Sequence, residues 1–286
     1  MKEMKTTLPQ KIFAAATLLI LTVPAIVFAH QPNLVNQDSI RITDPELSRA
    51  FYGTVQETPH TYTITSATDF HLYVNLLVPD LPSQSTDVRA TILKDEQEIA
   101  QLGGSDAPWE KYFEPFGYDH YLQVPEYQAD VAAGTYSIVV TSEKPNTKYS
   151  LAVGEREEFD AASSYEAVKV MPELKRSFFN ESPATFLLSP FGIGYVVIIF
   201  ALSFLFGFAY RFILKRIAKT NNRKRTKNIG KGDKLVRIAI GVVLFALAVT
   251  TTWSPFLFFF SGFAFFEAIF SWCGFYAALG KNTCPL

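Results

Sequence analysis

RFILKRIAKTNNRKRTKNIGKGDKLVR, residues 211–237, sets how the rest of the chain is read. It holds eleven Lys and Arg against one acid, Asp233. A run of 29 uncharged residues lies on each side, 182–210 before it and 238–266 after it. A bilayer core of about 30 Å takes roughly 20 apolar residues of helix, so both runs are long enough to enter a membrane. Lys and Arg beside membrane helices mark the cytoplasmic face. The stretch therefore predicts an inner-face loop, with Arg223, Lys224, Arg225 and Lys227 against lipid headgroups.

The net charge of −1 conceals a division of charge along the chain. Residues 30–190 carry 24 acids and 11 bases, and the basic stretch restores the balance. Basic runs also bind nucleic-acid phosphates, but one set between two membrane-length apolar runs is a topology signal, and no nucleic-acid partner is expected. The expected partners are the lipid bilayer, an external ligand or protein, and a second copy packed through the helices. Residues 30–154 contain no cysteine. That segment must rest on a single hydrophobic core, for which its length suffices.

At the N-terminus, Lys2, Lys5 and Lys11 precede an uncharged run, 12–29, that ends in Val27-Phe28-Ala29. This is a secretory signal pattern with cleavage expected after Ala29. An uncleaved anchor is the competing reading. From residue 39 to 154 the pattern becomes short runs of period two at 51–55, 61–65, 70–78, 88–93, 136–141 and 149–153. Turn residues such as Gly103-Gly104 and Pro145-Asn146 separate them, which argues for an antiparallel β-sandwich over 30–154. Residues 155–189 form a charged linker with Pro172 inside, read either as an interfacial amphipathic helix at the outer membrane face or as a solvated stalk. Membrane helices are then expected at 190–214, 234–252 and 255–279, with a basic loop at 215–233. Trp253-Ser254-Pro255 marks the turn between the last two, since Pro favours the first position of a helix. The fold class is a multidomain membrane protein: an extracytoplasmic all-β sandwich followed by three transmembrane helices, with the C-terminus cytoplasmic.

Two stretches resemble known families. Ala132-Ala133-Gly134-Thr135-Tyr136, followed by Tyr149-Ser150-Leu151, resembles the last two strands of bacterial pre-peptidase C-terminal and related jelly-roll modules. Asn228-Ile229-Gly230-Lys231-Gly232-Asp233 opens, and Trp272-Cys273, Leu279-Gly280 and Asn282-Thr283-Cys284-Pro285 close, a segment similar to the YgaP-like inner-membrane domain. That resemblance covers residues 228–286 and implies a two-helix unit in the inner membrane, which some bacterial rhodaneses carry after a catalytic domain. No rhodanese domain is present here, so sulfurtransferase activity does not carry over. Gly274 stands where the family usually has Pro, Lys234 where it has Arg, and acidic Glu267 where it keeps an apolar or small residue.

Cys273 and Cys284 are the thiol candidates, as a redox pair, a persulfide acceptor or a soft-metal site. Two thiols without a nearby His make an incomplete zinc set, and packing of small polarizable side chains explains them equally well. No metal or other cofactor is expected. Glu267 and Ser271, four residues apart on one helix face, are intramembrane polar candidates, with Ser271 placed to donate to the carboxyl. Outside the membrane, Trp109, Tyr112, Tyr118, Asp119 and His120 form an aromatic, acidic cluster of the kind that carbohydrate or calcium sites use. The carboxylates lack calcium-loop spacing, and no nucleophile–base set points to catalysis. The expected function is a non-enzymatic membrane protein that displays a binding sandwich. The alternative is a membrane thiol or sulfur-handling protein working through Cys273 and Cys284.

Overall fold

The computed structural model describes residues 30–158, 160–218 and 227–283. They fall into two compact units divided between Ser189 and Pro190. The 1–29 segment lies outside the described residues, as do Arg223, Lys224, Arg225 and Cys284.

The first unit is a two-sheet sandwich. One sheet runs β1 (Gln31–Leu34), β3 (Arg49–Val55), β12 (Thr147–Val153), β5 (Phe70–Pro79), β9 (Asp119–Gln123), β8 (Glu110–Glu114), with β10 (Tyr127–Val131) also on β5. The other runs β2 (Ser39–Ile42), β4 (His60–Ser66), β11 (Gly134–Thr141), β6 (Arg89–Lys94), β7 (Gln97–Gly103). Pairing is antiparallel except that β1 lies parallel to β3 and β2 parallel to β4, so the sandwich is not purely antiparallel as its pattern suggested. Alternation sends Phe51, Tyr62, Ile64, Leu72, Val74, Ile138, Tyr149 and Leu151 into one core between the sheets. Tyrosine hydroxyls enter this core as well, with Tyr149 at their centre. Its hydroxyl bonds Tyr62 at 2.7 Å and His60 Nδ1 at 2.6 Å, which satisfies groups that burial would otherwise penalise.

Strand β5 departs from alternation. Phe70, Leu72, Val74, Leu76 and Val78 face the core, yet Tyr73, Asn75 and Leu77 on the opposite face are buried too. A strand buried on both faces needs a cover on its outer side. Part of the cover over this face of the sheet comes from the segment read as a linker. Helix α1 (Ala161–Glu173) starts at Asp160, whose side chain accepts from the Ser163 amide in a capping box. It continues into a π turn, Leu174–Phe178, and a 3₁₀ turn, Pro183–Leu188. The apolar face of α1 (Ala167, Val168, Met171) and the rings of Phe178 and Phe179 are buried within this unit. Phe178 meets Tyr52 edge-on at 5.1 Å and Phe179 meets Tyr121 at 5.4 Å. Residues 155–189 are thus neither stalk nor membrane-surface helix, because aromatic residues of the sandwich take up the apolar face that lipid would have covered. The unit that folds together runs to Ser189 rather than ending at 154.

The second unit holds α2 (Pro190–Ala218), α3 (Lys231–Thr250), α4 (Pro255–Phe270) and the short α5 (Gly274–Leu279). Pro190–Ile217 is long and apolar enough to cross a membrane, and Pro255–Phe270 is apolar but shorter. The rings of α2 interleave with those of α4, as in Phe208–Phe266 at 5.0 Å and Phe206–Phe259 at 5.5 Å. Ser203 Oγ donates to the Phe259 carbonyl at 2.9 Å. Gly207 permits this approach, for a Cβ there would stand 2.6 Å from the Phe266 ring. Its small face is used inside the chain.

The last helix does not run unbroken over 255–279. It stops at Ser271, which adopts a left-handed conformation (φ 51°, ψ 36°), and restarts after Cys273. The cause is Asn228. Its side-chain amide donates to the Cys273 carbonyl at 2.8 Å and accepts from the Cys273 amide at 2.7 Å. The backbone amides of Asn228 and Ile229 both donate to the Ser271 carbonyl, at 3.0 and 3.3 Å. These bonds replace the helical ladder, so the chain turns without leaving polar groups bare. Thr283 completes the clasp: its amide donates to the Asn228 carbonyl at 3.2 Å, and its hydroxyl meets Asp233 and the Gly230 amide.

Candidate functional site

A cavity of about 380 Å³ lies on the outer face of the larger sheet. Its floor follows from strand register. Ala50, Ala152 and Asn75 are paired across β3, β12 and β5, and Tyr52, Ser150 and Leu77 form the next row. Small residues at Ala50, Ser150 and Ala152 leave a hollow that Tyr52, Tyr73, Tyr112 and Tyr121 wall in. Met171 of α1 lines the cavity from the covering segment.

The polar groups are unusual for an interior. Glu114, at the end of β8, accepts from the Phe116 and Gly117 amides at 2.6 and 2.7 Å. Burial pushes its carboxyl up to about 7, with those amides and Lys175 only partly opposing the shift. Asp119 begins β9 and meets Lys175 Nζ at 2.5 Å, both side chains being nearly inaccessible. Burial raises Asp119 to about 6 although Lys175 pulls the other way. Lys175 also stacks over the Phe179 ring at 5.3 Å. The approach of Asp119 depends on Gly117, where a Cβ would collide with Asp119 Oδ2. Burial pushes His30 down to about 4, and one of its ring nitrogens bonds the Gly154 backbone. Tyr73 donates to Glu126 at 3.0 Å. Among the described residues, Asn75 Oδ1, Ser48 Oγ and His30 Nε2 are buried without a hydrogen-bond partner. All three residues line the cavity. Buried polar atoms in folded proteins are normally paired, so a cavity with three unpaired ones is prepared for something polar.

The aromatic cluster read from the sequence divides. Tyr112 and Asp119 line the cavity. Tyr118 and His120 lie exposed on the β8–β9 hairpin, each packed against Phe113 at 5.1 and 5.0 Å. Trp109 is a structural residue, its indole donating to the Gly104 carbonyl at 3.0 Å while its ring packs on the core. Tyr52, Tyr73, Asn75 and Lys175 were missed. The one signal for Tyr73 and Asn75 was the run at 70–79, which lacks strict alternation, and nothing local marked Tyr52 or Lys175.

In the helical unit, Glu267 pairs with Arg237, Nε to Oε2 at 3.1 Å, rather than with the Ser271 hydroxyl. Ser271 contributes its carbonyl to the clasp instead. The Arg237 guanidinium stacks over Tyr276 at 5.2 Å. Cys273 is buried and adjoins both charges. Lys227 is exposed. Gly274 has a reason to differ from the family's usual Pro: any Cβ there would run into the Tyr210 ring of α2.

One consequence of the raised carboxyl is a pH signature. An acid whose folded pKa lies above its unfolded value near 4.5 stabilises the fold at low pH, and that stability is lost as pH rises through about 7. Residues 30–189 should therefore lose about 2 kcal/mol through Glu114 between pH 5 and 8. Glu114→Gln should flatten that part of the profile while leaving the like-signed contribution of Asp119 and the opposing effect of His30. Parallel pH–melting curves for the two proteins would refute the assignment.

No curated protein matches the chain. Among solved structures, the pre-peptidase C-terminal domain of a Bacillus anthracis collagenase aligns with TM-score 0.26 and 11% identity, over 43% of this chain and 98% of that one. The Yersinia pseudotuberculosis-derived mitogen gives TM-score 0.26 and 16% identity over 42% and 93%. A family 35 carbohydrate-binding module from an environmental isolate gives 0.23 and 14% over 35% and 68%. Residues 225–286, the segment that Asn228 and Thr283 clasp together, match the family described as Inner membrane protein YgaP-like, transmembrane domain.

Proposed function

We propose that this chain is a non-enzymatic, multi-pass inner-membrane protein that presents a ligand-binding sandwich on the extracytoplasmic side. The observation that carries the binding role is the cavity over β3, β12 and β5 with its unpaired Asn75, Ser48 and His30 atoms. The membrane role rests on the matched family and on the apolar surface of the helices. Leu202, Phe212, Val242, Val243, Phe256 and Phe260 are among the large side chains exposed there. An apolar surface of that extent needs lipid to cover it. Three crossings follow when α3 and α4 are counted with α2. α4 spans about 24 Å at 1.5 Å per residue, short of a bilayer core of about 30 Å. The bilayer must thin locally or α5 must complete the span. The basic residues around Lys227 put that loop inside and the sandwich outside. Gly194, where a Cβ would meet no atom within 4 Å, leaves a notch where a second copy packs.

Two measurements test the reading. In a chain whose own cysteines are serine, an impermeant maleimide on intact cells should label Ser105→Cys and not Lys227→Cys, and the reverse pattern would overturn the orientation. A thermal-shift screen of the full chain in detergent against assorted small metabolites should give stabilising hits that Ala152→Phe, which fills the cavity floor, abolishes. Hits that all survive in that variant would remove the cavity as the binding site.

A further inference from the structure

The walls of the cavity carry one sign of charge. Glu114, Asp119, Glu126, Glu155 and Glu157 line it, and among the described residues no Lys or Arg does. Asp119 is balanced by Lys175 from behind the wall, since Lys175 is fully buried and does not itself line the space. Glu155 lies near exposed His71, at 3.6 Å from Nε2. Glu114 faces the cavity with its oxygens held by two backbone amides, a fixed acceptor in place before any ligand arrives. An acidic lining alone would not define a site, because carboxylates also gather on solvated surfaces.

The independent observation is Asn75. Its side chain is only 8% exposed, lines the cavity, and leaves Oδ1 without a partner. Ser48, 1% exposed, likewise leaves its hydroxyl unbonded. The His30 nitrogen left unpaired is a lone-pair acceptor when the other ring nitrogen donates to the Gly154 carbonyl. Amide oxygen, imidazole lone pair and carboxylate are acceptors, and the Ser48 hydroxyl can serve as one too, so the matching ligand group is a donor. The tyrosine walls add the negative faces of aromatic rings, which attract cations desolvated beside them. A volume of about 380 Å³ is in the range of small-ligand pockets and much larger than a bare ion requires.

On the basis of the binding role proposed above, we infer that the cavity takes a small organic cation that also carries a hydrogen-bond donor, an amine or a hydroxyl-bearing quaternary ammonium, whose donor and positive charge meet Asn75 and Glu114 between the tyrosine walls. A neutral saccharide supplies donors but gains nothing from the charge of the lining, and a small anion is repelled by it.

The test uses the full chain in detergent micelles and isothermal titration with choline, putrescine, glucose and acetate. Choline or putrescine should bind saturably with one site per chain, while glucose and acetate should not. At pH 8, where the Glu114 carboxyl is ionised, Glu114→Gln, which removes the charge and one of the two acceptors for the backbone amides, should weaken binding by about tenfold or more. Ala152→Phe should abolish it. A melting transition retained in each variant shows that the sandwich has folded. If glucose binds instead and Ala152→Phe removes that binding, the cavity stands as the binding site and the cation class is overturned. Absence of heat with both amines overturns the inference, and so does amine binding that survives Ala152→Phe.

Discussion

Lys175→Met lowers the melting temperature of residues 30–189 by about 10 °C. The expectation rests on Asp119, whose side chain is 3% exposed and meets Lys175 Nζ at 2.5 Å. Removing the lysine leaves a buried acid with no counter-charge, a change that typically costs about 3–5 kcal/mol. For a domain of this size each kcal/mol moves the midpoint by about 2–4 °C. The loss extends beyond the pair, because Lys175 holds the π turn that places Phe178 and Phe179 against Tyr52 and Tyr121. Removing both charges together, as Asp119→Leu with Lys175→Met, should recover much of the stability, since the desolvated acid is then gone. A single variant that melts within about 1 °C of wild type, or a double variant as unstable as the single, would show that the pair does not hold the segment down.

The second large effect is expected at Asn228. Asn228→Ala strands the amide and carbonyl of Cys273, both buried, and opens the break between α4 and α5. Each unsatisfied buried backbone group costs about 1–3 kcal/mol. The full chain should therefore lose several kcal/mol and fall in membrane abundance, with faster proteolysis near Ser271. Asn228→Asp keeps the acceptor for the Cys273 amide and loses the donor, so it should fall between the two. Wild-type protease resistance in Asn228→Ala would mean that the clasp contributes nothing.

The long apolar helix Pro190–Ile217 was readable because apolar run length is a local property. The strands of the inner core were readable for the same reason: Tyr62 and Ile64, or Leu72, Val74 and Leu76, alternate within their own segments. Strands β7 and β8 were not. QEIAQLG and EKYFE show outward faces that stay polar or exposed, so neither presents a clean apolar stripe. The cavity was hidden for a different reason. Ala50, Ala152 and Asn75 become neighbours only through register across three strands, and no window of sequence contains them. Lys175 was read as part of a charged linker, either an interfacial helix or a solvated stalk, because its partner, Asp119, lies far back in the chain. The Asn228 and Thr283 signatures were legible as a family resemblance, while their cause, a side-chain amide replacing a helical ladder, is visible only in three dimensions.

The docked segment between Glu155 and Ser189 has an energetic corollary. Met171 lines the cavity, and Asp119 both lines it and anchors Lys175, so occupancy of the cavity and docking of the segment share side chains. Two equilibria that share groups are linked, and the linkage is reciprocal. A molecule that enters only when the segment is seated adds RT ln(1 + [L]/Kd) to the seating, and a chain with the segment pulled away does not hold it. Lys148 of β12 also ties the segment down, its Nζ donating to the Ser177 and Phe178 carbonyls at 2.7 and 2.8 Å. Any molecule that the cavity took up would thus tighten the docking of residues 155–189.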